Sequence, residues 1–183
     1  MLGGDEEDDK GMGNDDLVGK VQAQAPPTKS SPIGEIFYGY LMLCANSFQP
    51  AMGYLYRALA LQQSDPLLCL LCGVASLGRS TNRQVDNRNH TIIQGMALFT
   101  HYAELRGDIP EVDYNFARAY HHLNLVHLAV PRYERVLERA SSKASKGTFD
   151  MAREAAFNLA MIFTQTGSPD LARHLYRTWL AVE

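Results

Sequence analysis

Four stretches of this sequence superpose: AMGYLYRAL (51–59), GMALFTHYA (95–103), AVPRYERVL (129–137) and ARHLYRTWL (172–180). Each begins on a small residue: Ala51, Gly95, Ala129 and Ala172. Four positions on stand Leu55, Phe99, Tyr133 and Tyr176, and three beyond those Ala58, Tyr102, Val136 and Trp179. A second set of small residues lies upstream: Gly39, Gly73, Ala117 and Ala160. Spacings of three and four put side chains on one face of a helix. Two helices approach closely where one offers a small side chain and a larger one fills the space a turn later. A chain that repeats this arrangement is a stack of helix pairs, in which each pair buries its face against its neighbours.

The interval fixes the kind of stack. Gly39 to Gly73 is 34 residues, and Gly95 to Ala129 is 34 again, the period of tetratricopeptide repeats. Within a pair the two small residues are 12 apart in the first, third and fourth units but 22 apart in the second. About ten extra residues therefore fall in RSTNRQVDNRNHT (79–91), and 141–149 inserts between the third and fourth units. From Pro32 onward apolar residues recur at helical spacing, and prolines at 50, 66, 110 and 169 mark first turns. Helices are predicted over 33–47, 50–63, 66–80, 91–106, 110–123, 126–140, 150–165 and 169–182, with a polar loop at 141–148. The expected fold is all-α: a right-handed solenoid of about four tetratricopeptide-like pairs (32–65, 66–109 with the insertion at 79–91, 110–149 and 150–183).

Residues 1–31 read differently. They hold seven acids against three lysines and almost no bulky apolar side chains. Such a segment cannot bury enough surface to offset its ordering entropy, so an acidic disordered tail is expected. The whole chain carries −3, which leaves residues 32–183 at about +1. A near-neutral body lacks the concentrated cations that grip a phosphate backbone, so DNA contact is expected to be weak or indirect. No basic-then-apolar leader opens the sequence, and its longest apolar run, PLLCLLCGVASLG (66–78), is too short to span a bilayer. Three cysteines without an export signal point to reduced thiols in an intracellular protein.

Candidate chemistry is sparse. YHHLNLVHLAV (120–130) gathers His121, His122 and His127. Adjacent helical residues point about 100° apart, and no HExxH pattern or suitably spaced carboxylate accompanies them. Metal binding and acid–base work stay open beside the plainer reading, histidines at a helix end and a turn. Cys69 and Cys72 form a CxxC but lack the strand-to-helix setting of a redox pair, so buried helical thiols are the alternative. No nucleophile elbow, P-loop or dinucleotide fingerprint occurs, and neither catalysis nor a metal or other cofactor is expected.

The first helix of each pair lines the inner face of such a solenoid. The partner-binding candidates there are Tyr40, Leu43, Val74, Leu77, Tyr114, Arg118, His121, Phe157 and Met161, with Ile36, Leu70 and Thr164 on the same faces. An apolar groove of this kind suits a partner helix or extended peptide. The other reading buries these side chains within the coil. In the insertion, Arg83 and Arg88 are candidates for a phosphate or acidic partner, the alternative being a solvated loop.

RQVDNRNHTIIQGMALFTHYAELRG, then DYNFARAYHHLNLVHLAVPRYERVLE and AAFNLAMIFTQTGSPDLARHLY, resemble the C-terminal repeat region of the tetratricopeptide subunit of RNA polymerase III transcription factor IIIC. FYGYLMLCANSFQPAMGYLYRALALQQSDP resembles the stretch preceding it. The likeness spans roughly 33–183, and the Arg83-Gln84…Asp86-Asn87-Arg88 insertion is its most specific element. It implies a non-catalytic nuclear scaffold in polymerase III initiation at tRNA-type promoters. The partners it implies are the other factor IIIC subunits, with components of factor IIIB as further candidates. A stand-alone peptide-binding adaptor, a co-chaperone or assembly factor, is the alternative.

Overall fold

The computed structural model describes residues 31–141 and 151–181. The tail expected over 1–31, Ser31 apart, and the loop expected over 141–148, Ser141 apart, lie outside the described residues. Eight α-helices follow in order: α1 (Pro32–Cys44), α2 (Phe48–Leu61), α3 (Pro66–Ser80), α4 (Arg88–Arg106), α5 (Pro110–His122), α6 (Val126–Ser141), α7 (Ala152–Gln165) and α8 (Pro169–Leu175), the last running into a π-helical turn (Tyr176–Leu180). No strand occurs among the described residues. The helices pack chiefly on their sequence neighbours, and the first helices also meet one another, α1 with α3 and α3 with α5. This is an all-α solenoid.

The small residues sit where the helices touch. A Cβ added to Gly39 would lie 2.6 Å from the Leu55 side chain, and one on Gly73 would lie 2.7 Å from Phe99. Ala51, Ala117, Ala129 and Ala160, at the equivalent small positions, are fully buried. Each second helix also buries its stripe on the first helix that follows. Ala51, Leu55 and Ala58 meet Leu68, Cys72 and Ala75. Phe99 and Tyr102 meet Val112, Phe116 and Ala119. Tyr133 and Val136 meet Ala155, Leu159 and Ile162.

The turns inside pairs one, three and four share one device. Asn46 (φ 54°), Asn124 (φ 61°) and Gly167 (φ 81°) are left-handed, each seven residues past its pair's first small residue. The next amide then bonds back across the helix end: Ser47 N to Met42 O at 2.8 Å, Leu125 N to Tyr120 O at 2.9 Å and Ser168 N to Phe163 O at 2.8 Å. These are the helix-closing bonds that a left-handed residue makes possible.

In the second pair the corresponding residue is Ser80, and α3 continues to it, with the Ser80 hydroxyl donating to Leu77 O at 2.7 Å. The insertion is thus shared between the two helix ends and a seven-residue turn, 81–87. Arg79 and Ser80 finish α3, Arg88–His90 open α4, and Asn87 caps α4 by accepting from His90 N at 2.9 Å. That cap moves the start of α4 back from the expected 91 to 88. Helix α2 begins at Phe48 rather than 50, which leaves Pro50 in the first turn, where no N–H is needed.

The end of the chain departs from the expected single helix over 169–182. Leu175 is buried, while Tyr176, at the position equivalent to Leu55, Phe99 and Tyr133, is exposed where the π-turn begins. Asp65 caps α3 by accepting from Leu67 N at 2.8 Å and Leu68 N at 3.3 Å. Asp65→Ala is therefore expected to cost about 1 kcal/mol, read as a melting point lower by about 2–4 °C.

Candidate functional site

Where α1, α3 and α5 come together they leave a cleft of about 410 Å³. Its floor is apolar: Leu70, Leu71, Val74 and Leu77 recur at helical spacing along α3, with Leu43 at the end of α1 and Phe48 at the start of α2. Phe48 lies against Gly78, where an added Cβ would come within 2.3 Å of its ring, so only glycine lets α3 pass there. The far wall is one face of α5, Asn115, Arg118, Ala119 and His122, and Asn46 closes the near side. None of the lining residues is an aspartate or glutamate.

Five of the groove residues named from the sequence meet at this cleft: Leu43, Leu70, Val74, Leu77 and Arg118. Leu77 contributes only an edge, because its side chain is buried against Gly95 of α4. Tyr40 is exposed on α1 and does not line the cleft. Tyr114 belongs to the core between the third and fourth pairs, its ring edge-on to Tyr133 at 6.1 Å and its hydroxyl accepting from Asn158 Nδ2 at 3.3 Å. Phe157 and Met161 lie on α7, the first exposed and the second half-buried. Arg83 stands in the turn before α4 and Arg88 in that helix's first turn, both exposed and without an ion pair among the described residues. Asn46, Phe48 and Asn115 also line the cleft and had not been singled out, and His122, noted only with the histidine cluster, joins them. The signal for three of them was the left-handed Asn46 and the i, i+3, i+7 run of Asn115, Arg118 and His122.

The histidines go three ways. His121 is half-buried with its ring perpendicular to Tyr133 at 6.3 Å. Burial lowers its pKa, and the neighbouring charges of Arg118 and His122 add to that effect. His122 is exposed at the cleft, and His127 is exposed in the first turn of α6. Among the described residues no group of three His, Cys, Asp or Glu side chains is placed to hold a metal ion.

Cys69 and Cys72 are buried in α3 and Cys44 is exposed. Burial, with Cys69 alongside, pushes the Cys72 thiol up to about 12. Burial and the charge of Asp65 also raise Cys69. At pH 8 Ellman's reagent should therefore titrate one thiol in the folded chain and three after denaturation. Two fast thiols in the native protein would contradict this placement.

Ion pairs commit half of the described arginines, while Arg79, Arg83, Arg88, Arg118, Arg153 and Arg177 have none among the described residues. Arg132 reaches the buried carboxylate of Asp113 at 2.7 Å, with Arg135 at 3.3 Å and Arg139 at 3.8 Å. Arg57 grips Glu35 at 2.8 Å, Arg173 pairs with Asp170 at 2.6 Å, and Arg106 pairs with Glu111. Arg118, exposed at the cleft, makes no ion pair among the described residues. The cleft thus offers an apolar floor, two amides and an uncommitted guanidinium. That chemistry can hold a ligand. No helix among the described residues is long and apolar enough to cross a membrane.

No family model matches the sequence. Three curated proteins are similar to it. Transcription factor tau subunit sfc4 of Schizosaccharomyces pombe is 34% identical over 91% of this chain and 18% of its own length. The transcription factor tau 131 kDa subunit of Saccharomyces cerevisiae is 31% identical over 86% of the chain and 15% of its own length. The human general transcription factor 3C polypeptide 3 is 27% identical over 80% of the chain and 17% of its own length. The chain spans less than a fifth of each relative.

Proposed function

We infer, from a chain homologous along most of its length to one stretch of transcription factor IIIC subunits, that it works as a non-catalytic scaffold in a factor IIIC-type assembly. One observation carries this reading: 34% identity over 91% of the chain. The setting is the nucleus, and the role is in RNA polymerase III initiation at tRNA-type promoters. The partners are other subunits of that assembly, with factor IIIB components next in line. The cleft between α1, α3 and α5 is the surface best suited to a partner segment, since concave apolar sites with a few polar groups are where proteins hold ligands. Phe157 and Met161 extend the apolar face along α7, and Arg83 and Arg88 add a second, cationic contact at the insertion.

The test is purification of the tagged full chain from its own cells. Other factor IIIC subunits and tRNA-type genes should come with it, and Val74→Glu should reduce that recovery. Chaperones alone in the eluate would overturn the scaffold reading in favour of a stand-alone adaptor.

A further inference from the structure

We propose that copies of this chain stack head to tail, with α8 and the π-turn of one copy packing on α1 of the next. The junction between successive helix pairs then continues from chain to chain.

That junction is already built three times. The second helix of one pair lies on the first helix of the next: Leu55 and Ala58 on Cys72 and Ala75, Phe99 and Tyr102 on Phe116 and Ala119, Tyr133 and Val136 on Leu159 and Ile162. Its two halves recur on the outermost helices, with no described helix against them. Tyr38 and Leu41 hold the receiving positions on α1, and both are exposed. Tyr176 and Trp179 hold the opposing positions at the far end. Tyr176 is 39% exposed where Leu55, Phe99 and Tyr133 are at most 2% exposed, and Trp179 is half-buried where Ala58, Tyr102 and Val136 are buried. One chain therefore carries both halves of the contact, and a second copy supplies the complement of each.

The chemistry of α1 points the same way. It leaves Ile33, Phe37, Tyr38, Tyr40 and Leu41 exposed. Glu35 is its one charged residue, and Arg57 holds that carboxylate at 2.8 Å. A solenoid that stays single presents a polar outer face on its end repeats, and α1 presents the opposite. Exposed aromatic side chains without an uncommitted charge match the core of a protein interface and offer nothing to a phosphate backbone. Phe37 and Tyr38 stand edge-on at 5.9 Å, and Tyr38 reaches Tyr54 at 5.8 Å. These rings are ordered against one another before anything docks, which lowers the entropy lost on association. The two halves are different surfaces, so the contact is heterologous and a dimer still carries a free half at each end. A single helix-on-helix junction is small, so the copies part on dilution.

Sedimentation velocity on the full chain, over about a hundredfold range of concentration, tests this. The average mass should rise from monomer through dimer to larger species. Leu41→Glu and Tyr176→Glu each put a charge into the junction from an exposed site. Each should melt as the dilute parent does and weaken self-association at least about tenfold. Mixed in equal amounts, the two variants should form a dimer that grows no further, because one keeps the α8 half and the other the α1 half. Val74→Glu, in the cleft, should associate as the parent does. A parent that stays monomeric at every concentration would overturn the proposal whatever the variants do. A dimer lost with Leu41→Glu but untouched by Tyr176→Glu would overturn it in favour of α1 meeting α1. Equal loss with Val74→Glu would place the contact in the cleft instead.

Discussion

Ala129→Phe should unfold the third helix pair while the first two keep their structure. Ala129 is fully buried, and it shares a core with Ala117, Tyr114 and Tyr133. Close packing there leaves no room for a ring without moving α6 off α5. Inserting extra volume into a filled core costs about 1–3 kcal/mol, and the six added ring carbons put this case at the upper end or beyond. Against the ~5–15 kcal/mol that holds a domain together, that is a melting point lower by roughly 6–12 °C. In a stack stabilised by nearest neighbours the damage spreads by contact. Amide exchange should therefore accelerate in α5, α6 and α7, which share this core, while α1–α3 keep their protection. Ala60→Phe, at an exposed site on α2, is the matched control and should change stability by less than about 0.5 kcal/mol. An Ala129→Phe chain that melts with the parent would mean that the helix register derived from the small residues is wrong.

That register was legible because its cause is local and repeated. Glycine or alanine at a helix crossing is a steric requirement, and four copies make the requirement visible. The turn device was equally legible and went unused: Asn46, Asn124 and Gly167 stand at one offset, and the second pair breaks the series with Ser80. Serine there makes no left-handed turn, so α3 runs on to Ser80 and the chain turns later, over 81–87. The π-turn after α8 was not legible, because it changes the helix pitch without changing the pattern of residue types. The site was read least well. Helical spacing placed Leu77 and Tyr114 on inner faces, but whether such a face borders open space depends on how far neighbouring pairs lie apart. At Tyr114 the fourth pair closes over it through Asn158, whereas at Val74 and Arg118 the space stays open.

The same register predicts two very different outcomes at one equivalent position. Cys72, Phe116 and Leu159 each directly precede the first small residue of a pair and are 0%, 7% and 2% exposed, because the second helix of the preceding pair lies on them. Two residues beyond the small position, Ala75, Ala119 and Ile162 are buried in the same way. On α1 the equivalents are Tyr38 and Leu41, 54% and 41% exposed, and no described helix covers them. Phe116→Ala should therefore cost about 3–5 kcal/mol, since it empties a core place. That ring stands edge-on to Phe99 at 5.6 Å, with the Arg132 guanidinium 5.0 Å above it. Tyr38→Ala forfeits a tilted contact with Tyr54 at 5.8 Å and should cost less than about 1 kcal/mol. Urea melts of the two variants beside the parent decide the matter. Comparable destabilisation would mean that the α1 face is buried in solution. The expected gap of several kcal/mol would show that one repeat position carries core packing in three pairs and open, aromatic surface in the first.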